Sequence, residues 1–338
     1  MSESRVTALD ILEALDTISG GRVIRKSAAP FAQSHPFVVT KSSNIPGKAV
    51  CEMPGLVCGD LDKPIGKLAV SMTLTESQIE LAGATGVDAI VCHHPVADAA
   101  SCGGVPLRGY VELYRLAVFE LHEAFHGRHP GIAWLHGHKP FRVELAYGGV
   151  PGNVMFVGQA LPEVKTVGDI LDRLAAFSDL AHETALLELE RVHHKCPELI
   201  ETNVAASARI LRGSREDEVR TILHFFPHTG FSPQDLRRAK QEHAEIDTAL
   251  MSISCVKEDS PLVETAEALD LKLIVGNSHA LEILENGLPL AYAIKRLLPN
   301  LEVVVFRERV VSAPVDKVGS PEIKEYARRM AEEHLTKE

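Results

Sequence analysis

Apolar residues recur at helical spacing over residues 7–16 (TALDILEALD), which predicts an amphipathic helix near the start of the chain. Residues 20–60 are rich in Gly, Pro and Ser and are expected to be irregular. The pattern then changes. Lys67–Thr73 (KLAVSMT) reads as a strand, a helix follows from Thr75 with Gln78 in a capping-box position, and the short apolar run 88–92 (DAIVC) reads as a second strand. Strand, helix and strand in this order predict a βαβ unit and a parallel sheet. Over 110–126, Tyr114, Ala117, Val118, Leu121 and Phe125 fall on one face of a helical wheel, so the spacing predicts a long helix ended by Gly127 and Pro130.

From about 145 to 260 the rhythm is different. A helix is predicted from Thr166, with Asp169 completing a capping box. Apolar runs follow near 203–211 and 219–226, and another helix opens at Ser232-Pro233. The βα rhythm returns with a buried strand at 271–276 (LKLIVG), a helix over Ala280–Leu298 and a strand at 301–306 (LEVVVF). A charged helical segment runs from Pro321 to Glu338. The predicted fold class is α/β: a two-lobed core of mixed or parallel β-sheets flanked by helices, plus an inserted α+β domain. The expected boundaries are 1–144 for the first core lobe, 145–260 for the insertion and 261–338 for the second core lobe.

Composition narrows the function classes. A net charge of −11 without a basic cluster argues against a nucleic-acid partner, because neutralising phosphates needs grouped Lys and Arg. No apolar run is long enough for a membrane span, and the N-terminus lacks the apolar stretch of a signal peptide. The six cysteines are scattered without a CxxC pair and are expected to be reduced thiols in a cytoplasmic protein.

Histidine is the unusual count: sixteen, five of them between residues 122 and 138. His93-His94-Pro95 follows the strand 88–92 directly. Ligands of open α/β sheets gather at the carboxyl ends of strands, and adjacent imidazoles there can diverge toward different ions. The plain alternative is a pair of surface loop histidines. His279 follows the strand 271–276, with Glu282 three residues on. On one helix face these two would converge, and a carboxylate can bridge two cations; alternatively Ser278 caps the helix and Glu282 favours its positive end. Residues 122–126 (HEAFH) match the zinc-peptidase pattern HExxH, with Glu123 as general base. The longer form of that motif needs a glycine and a further histidine where this chain has His129 and Ile132. His136 and His138 are candidates for lining the same cleft. His193, His194, His224 and His228 are expected at the surface, and Cys92 in the core.

Together these features resemble the NGG-interacting-factor-three-like family, also described as dinuclear metal centre hexameric proteins and type 2 GTP cyclohydrolase I homologues. The resemblance covers residues 7–16, 52–98, 110–127 and 262–308. It implies two lobes around a metal pair, a homohexamer, and metal ligands at His93, His94, His126, His279 and Glu282. His126 stands where the family has an aspartate, the last His and Glu are three rather than four apart, and the early Asp-Asn-Val-Gly-Leu motif reads Glu52-Met53-Pro54-Gly55-Leu56. The implied function is hydrolysis of a small-molecule substrate (a cyclic amide, purine-like ring or phosphoester) by two divalent ions such as Zn, Fe or Mn, with Glu123 or Asp98 protonating the leaving group. The competing expectations are a mononuclear HExxH zinc peptidase and a non-enzymatic metal-binding regulatory or scaffold protein.

Overall fold

The computed structural model describes residues 5–24, 37–42, 49–96, 107–150, 152–252 and 256–336. Asp98 lies outside the described residues. The chain is a mixed α/β protein that divides into two compact units, Met1–Trp134 with Glu282–Arg307, and Leu135–Leu281 with Glu308–Glu338. The unit boundaries thus fall at 134/135, 281/282 and 307/308, whereas the sequence pattern suggested 144/145 and 260/261. Among the described residues no helix is long and apolar enough to cross a membrane.

The first unit contains α1 (Ala8–Ser19), β1 (Val39–Ser42), β2 (Ala49–Glu52), β3 (Gly55–Cys58), β4 (Lys67–Ser71), α2 (Glu76–Thr85), β5 (Ala89–Cys92), α3 (Leu107–Leu113) and β6 (Ala117–Glu120). The short α4 (Gly131–Leu135) follows. Helix α1 starts as its sequence predicts: Thr7 and Asp10 form a reciprocal capping box, and Gly20, in the left-handed region, ends it. Thr75 caps α2 by accepting the Gln78 backbone N–H.

The second unit holds β7 (His138–Glu144), β8 (Met155–Ala160), α5 (Val167–Phe177), α6 (Leu180–His194), β9 (Ile200–Glu201), α7 (Thr202–Ala205), β10 (Arg209–Arg212), β11 (Thr221–Phe225), α8 (Pro233–Glu242), β12 (Thr248–Met251), α9 (Pro261–Ala268) and β13 (Lys272–Val275). The chain returns to the first unit with α10 (Leu288–Leu297) and β14 (Glu302–Val305), and then to the second with β15 (Val311–Ser312) and α11 (Pro321–Met330).

The first unit's sheet has the order β14-β4-β5-β6-β3, parallel except for β3. Alternate residues of β5 point into two cores. Ala89 and Val91 join Ile11 and Leu15 of α1 and Leu290 and Ile294 of α10, while Ile90 and Cys92 join Ile79 and Ala82 of α2. A strand buried on both faces carries no polar alternation, and this explains the main departure from the sequence pattern. The predicted helix over 110–126 is instead the short α3, a turn at Arg115 with φ 53°, and the central strand β6, whose four residues are all buried. Ala117, Val118 and Leu121 fit a helical wheel only because a continuous apolar run fits any period. The irregular stretch predicted over 20–60 contains β1, β2 and β3.

The second sheet, β10-β13-β12-β11-β8-β7, is mixed: β11, β12 and β13 are parallel, and β10, β8 and β7 pair antiparallel. One face packs on α8 and α9 through Leu236, Ala239, Leu262 and Ala266, the other on α5 through Ile170 and Leu174. The predicted helix over Ala280–Leu298 is broken into a 3₁₀ turn (His279–Leu281), a π turn (Ile283–Gly287) and α10. Pro289, with no N–H to donate, sits in the first turn of α10 and fits this interruption. Cys51, Cys58, Cys92 and Cys196 are free thiols.

Candidate metal centre

Three parallel strands end side by side. Cys92 of β5 pairs with Ser71 of β4 and Glu120 of β6, and the ladder runs one residue further through His93 N–H to Ser71 O (2.9 Å) and Leu121 N–H to Cys92 O (2.9 Å). The residues after these ends are Thr73, His93-His94 and His122. The strand-end placement expected for the paired histidines is therefore present, and the site occupies the carboxyl edge of the sheet. Buried His93 is no surface loop residue.

His122 to His126 form an irregular turn after β6, closed by the His126 N–H to His122 O bond (3.2 Å), and not a helix. That turn still brings the two rings within 4.6 Å, centroid to centroid, and puts His122 5.0 Å from His93. Glu282 enters at the head of the π turn and is 4% exposed; Asn286, one turn on, donates to its Oε1 (2.9 Å).

The four imidazoles are held at the same ring nitrogen. Nδ1 of each meets an outer partner: the Leu121 carbonyl for His93 (3.0 Å), the Thr73 hydroxyl for His94 (3.0 Å), Glu52 Oε2 for His122 (3.2 Å) and Glu123 Oε2 for His126 (3.4 Å). On the inner side, His93 Nε2 lies 3.5 Å from Glu282 Oε1 and His94 Nε2 3.1 Å from Glu282 Oε2. Each oxygen of one carboxylate thus faces a different imidazole. His93 Nε2 is fully buried and makes no hydrogen bond among the described residues. An orphaned buried nitrogen of this kind is costly unless a ligand completes it.

Three sets of side chains bring ligand atoms within 4.8 Å of one another: His93, His94 and Glu282; His93, His122 and His126; and Glu52, His122 and Glu123. Imidazoles backed by carboxylate, hydroxyl or carbonyl acceptors at Nδ1 are the usual arrangement of metal ligands, and the donor set fits a divalent ion. His93 belongs to two of the sets but has only Nε2 to offer, so it can serve one ion, not both.

Electrostatics agree with neutral ligands for His93 and His122. Burial, opposed by Glu282, pulls the His93 pKa down to about 3; burial and then His126 pull His122 well below the ordinary value. His126 is only partly buried, and although desolvation lowers its pKa, the Glu123 hydrogen bond and the charges of Glu123, Glu282 and Glu52 outweigh that and raise it.

Several contributors carry no motif in the sequence: Thr73, Glu120 and Asn286. Glu120, the last residue of β6 and 2% exposed, accepts the backbone N–H groups of Met53 and Val96, the latter at 2.7 Å. It thereby ties the segment carrying Glu52 to the one carrying His93-His94. His279 belongs to the second unit, in the 3₁₀ turn, with its ring 5.7 Å from that of His228.

The second unit has a separate polar core. His136, His138, His224 and Ser252 are each 0% exposed. His138 Nε2 lies 2.9 Å from His224 Nδ1, His224 Nε2 lies 2.6 Å from Ser252 Oγ, and His136 Nε2 accepts the Asn277 N–H (3.1 Å). His224, expected at the surface, is inside because Thr221–Phe225 is a central strand buried on both faces. His193, His194 and His228 are exposed as expected. Burial, then the neighbouring His136, lowers the His138 pKa to about 3; burial, then His136 and His138, lowers His224 well below the ordinary value.

Residues 38–98 match the family model Duf34/NIF3 (NGG1p interacting factor 3). No curated protein matches the chain. Among solved structures, the chain is similar to reduced HcgD from Methanocaldococcus jannaschii, with 15% identity, TM-score 0.54, and coverage of 89% of this chain and 98% of that one. It is also similar to a Bacillus cereus protein related to NIF3 (11% identity, TM-score 0.52, 90% and 98% covered) and to the Staphylococcus aureus hypothetical protein SA1388 (12%, 0.50, 90% and 97%). At these identities the structures speak for the fold. Residues 38–98, ending just past the paired histidines, thus match the Duf34/NIF3 model, and the chain shares the fold of the NIF3-related structures.

Proposed function

We propose that the first unit holds two divalent metal ions and hydrolyses a small-molecule substrate. The observation that carries this reading is a cluster of four imidazoles, each held at Nδ1, two of which face different oxygens of one buried carboxylate. With His93 restricted to one ion, the donors divide simply. His94 with Glu282 would hold one ion, and His93, His122 and His126 would hold the other. A nitrogen-rich set of this kind suits Zn, Fe or Mn better than Mg or Ca. When bound, such a pair supplies Lewis acidity and lowers the pKa of a bound water from about 15.7 to about 7, so neither serine nor cysteine is needed as nucleophile.

The chain's own residues have three tasks. Glu282 offsets the repulsion between two cations. Leu121 O, Thr73, Glu52 and Glu123 fix ring orientation. His93, 0% exposed just past β5, anchors the site to the sheet. Glu123 faces the Nδ1 side of both His126 (3.4 Å) and His122 (4.0 Å), behind the ligand nitrogens. That position, together with the non-helical 122–126 turn, favours a supporting role over the peptidase general base.

The test is elemental analysis of protein purified without added metal, with His94→Ala and Glu282→Gln assayed for metal content and for turnover of cyclic amides, purine-like rings and phosphoesters. About two ions per chain, with loss of at least one ion and of turnover in each variant, are expected. A parent protein that takes up no divalent ion would end the proposal.

A further inference from the structure

We infer that Glu52 is a positioning residue that sets the tautomer of His122; its consequence for metal affinity rests on the reading of the site just given. A neutral imidazole carries one N–H, and the better acceptor decides which nitrogen keeps it. Glu52 Oε2 is 3.2 Å from His122 Nδ1, within hydrogen-bond reach, whereas the nearest Glu123 oxygen is 4.0 Å from the same nitrogen and faces His126 instead. The proton therefore sits on Nδ1, and the Nε2 lone pair is free for the group His122 shares with His93 and His126.

Glu52 is itself held. It is 1% exposed, it ends β2, and its Oε1 accepts the Glu123 backbone N–H. One carboxylate therefore clamps the ring of residue 122 and the peptide that follows it. The next residue, Met53, is fixed in turn by Glu120. Glu52 lies in the segment that corresponds to the family's early Asp-Asn-Val-Gly-Leu motif, and the contact gives that segment a task at a turn 70 residues away.

Two measurements test this. In metal-free, ¹⁵N-histidine-labelled protein, long-range ¹H–¹⁵N spectra report which ring nitrogen of His122 is protonated. Nδ1–H is expected in the parent and a shift toward Nε2–H in Glu52→Ala. Zinc affinity, read by chelator competition, is expected to fall about 10–100-fold in Glu52→Ala and to recover partly in Glu52→Gln, whose amide oxygen can still accept a hydrogen bond from Nδ1–H. An unchanged tautomer with parental zinc affinity in Glu52→Ala overturns the inference. Should that variant fail to fold, a cycle of Glu52→Gln and His122→Ala decides. Losses that do not add support it, because Glu52 acts through His122; additive losses overturn it. A parent that binds no zinc removes the metal-centre reading while the tautomer measurement still stands or falls alone.

Discussion

Acid should loosen the second unit through its buried histidines, and the size of the effect follows from their burial. His138 has a folded pKa of about 3, against about 6.5 for an unfolded chain. Its pKa is depressed, so the neutral form is the native one. Between pH 6.5 and 3 the unfolded state binds the extra proton, and stability falls as pH falls through that window. At pH 5 this is 1.5 units below the unfolded pKa, or about 2 kcal/mol at 1.36 kcal/mol per unit. His224, also lowered well below its ordinary value, shifts stability in the same direction, and the His138 share alone is a large part of a typical 5–15 kcal/mol. A two-unit chain does not unfold in one step, so the assay must be local. Peptide-resolved hydrogen exchange over β11 and β12, corrected for intrinsic rates, should lose about 30-fold in protection through His138 between pH 7.5 and pH 5. His138→Gln can still donate to His224 Nδ1 but does not titrate, and should recover about one such factor. If protection is flat with pH, or the variant keeps the full parental slope, these imidazoles are not neutral as the geometry requires.

Other perturbations read other contacts. Gly158→Ala would put a Cβ 2.4 Å from His138 Nδ1 and 2.7 Å from Lys139 O, so thermal unfolding should show a loss of about 1–3 kcal/mol, with ring resonances of His138 displaced. Thr73→Val removes the partner of His94 Nδ1 and should weaken zinc binding about tenfold in chelator competition while leaving the circular dichroism spectrum unchanged. Glu123→Gln should retain bound metal, and neither parent nor variant should cleave a peptide library; cleavage lost in the variant would restore the zinc-peptidase reading. Removing metal by dialysis against a chelator should abolish turnover, and zinc should restore it, as measured on whichever substrate the panel identifies.

Much of the fold was legible because it is written in local signals. Thr7 with Asp10 and Thr166 with Asp169 are complete capping boxes, and Ser232-Pro233 opens a helix as its residues require. The strand 88–92 ended where glycine and proline bracket it. What failed was the central strand: β6 and the β11 strand bearing His224 are buried on both faces, and an apolar run without alternation does not declare its period. At the site, adjacent histidines after a strand were visible, as was Glu282 after a late strand. Their supports were not. Leu121 contributes only a carbonyl, Thr73 and Asn286 belong to no motif, and Glu52 meets His122 across 70 residues, a contact that only the pairing of strands creates.

The two units use one ingredient to opposite ends. Both carry buried histidines on a mixed sheet, yet only the first surrounds them with carboxylates. In the second, imidazole meets imidazole, a serine hydroxyl or a backbone N–H; His138 Nδ1 is buried without a hydrogen bond there too, but none of these rings joins a metal-holding group among the described residues. In the first, the outer nitrogens are satisfied by Leu121, Thr73, Glu52 and Glu123, while the inner face keeps Glu282 and the unpartnered His93 Nε2. Counting histidines does not separate these cases. The discriminating quantity is where each ring's second nitrogen points: ring-to-ring pairing makes a neutral core that acid can open, and carboxylate backing makes a set of lone pairs with charge in reserve for a metal ion.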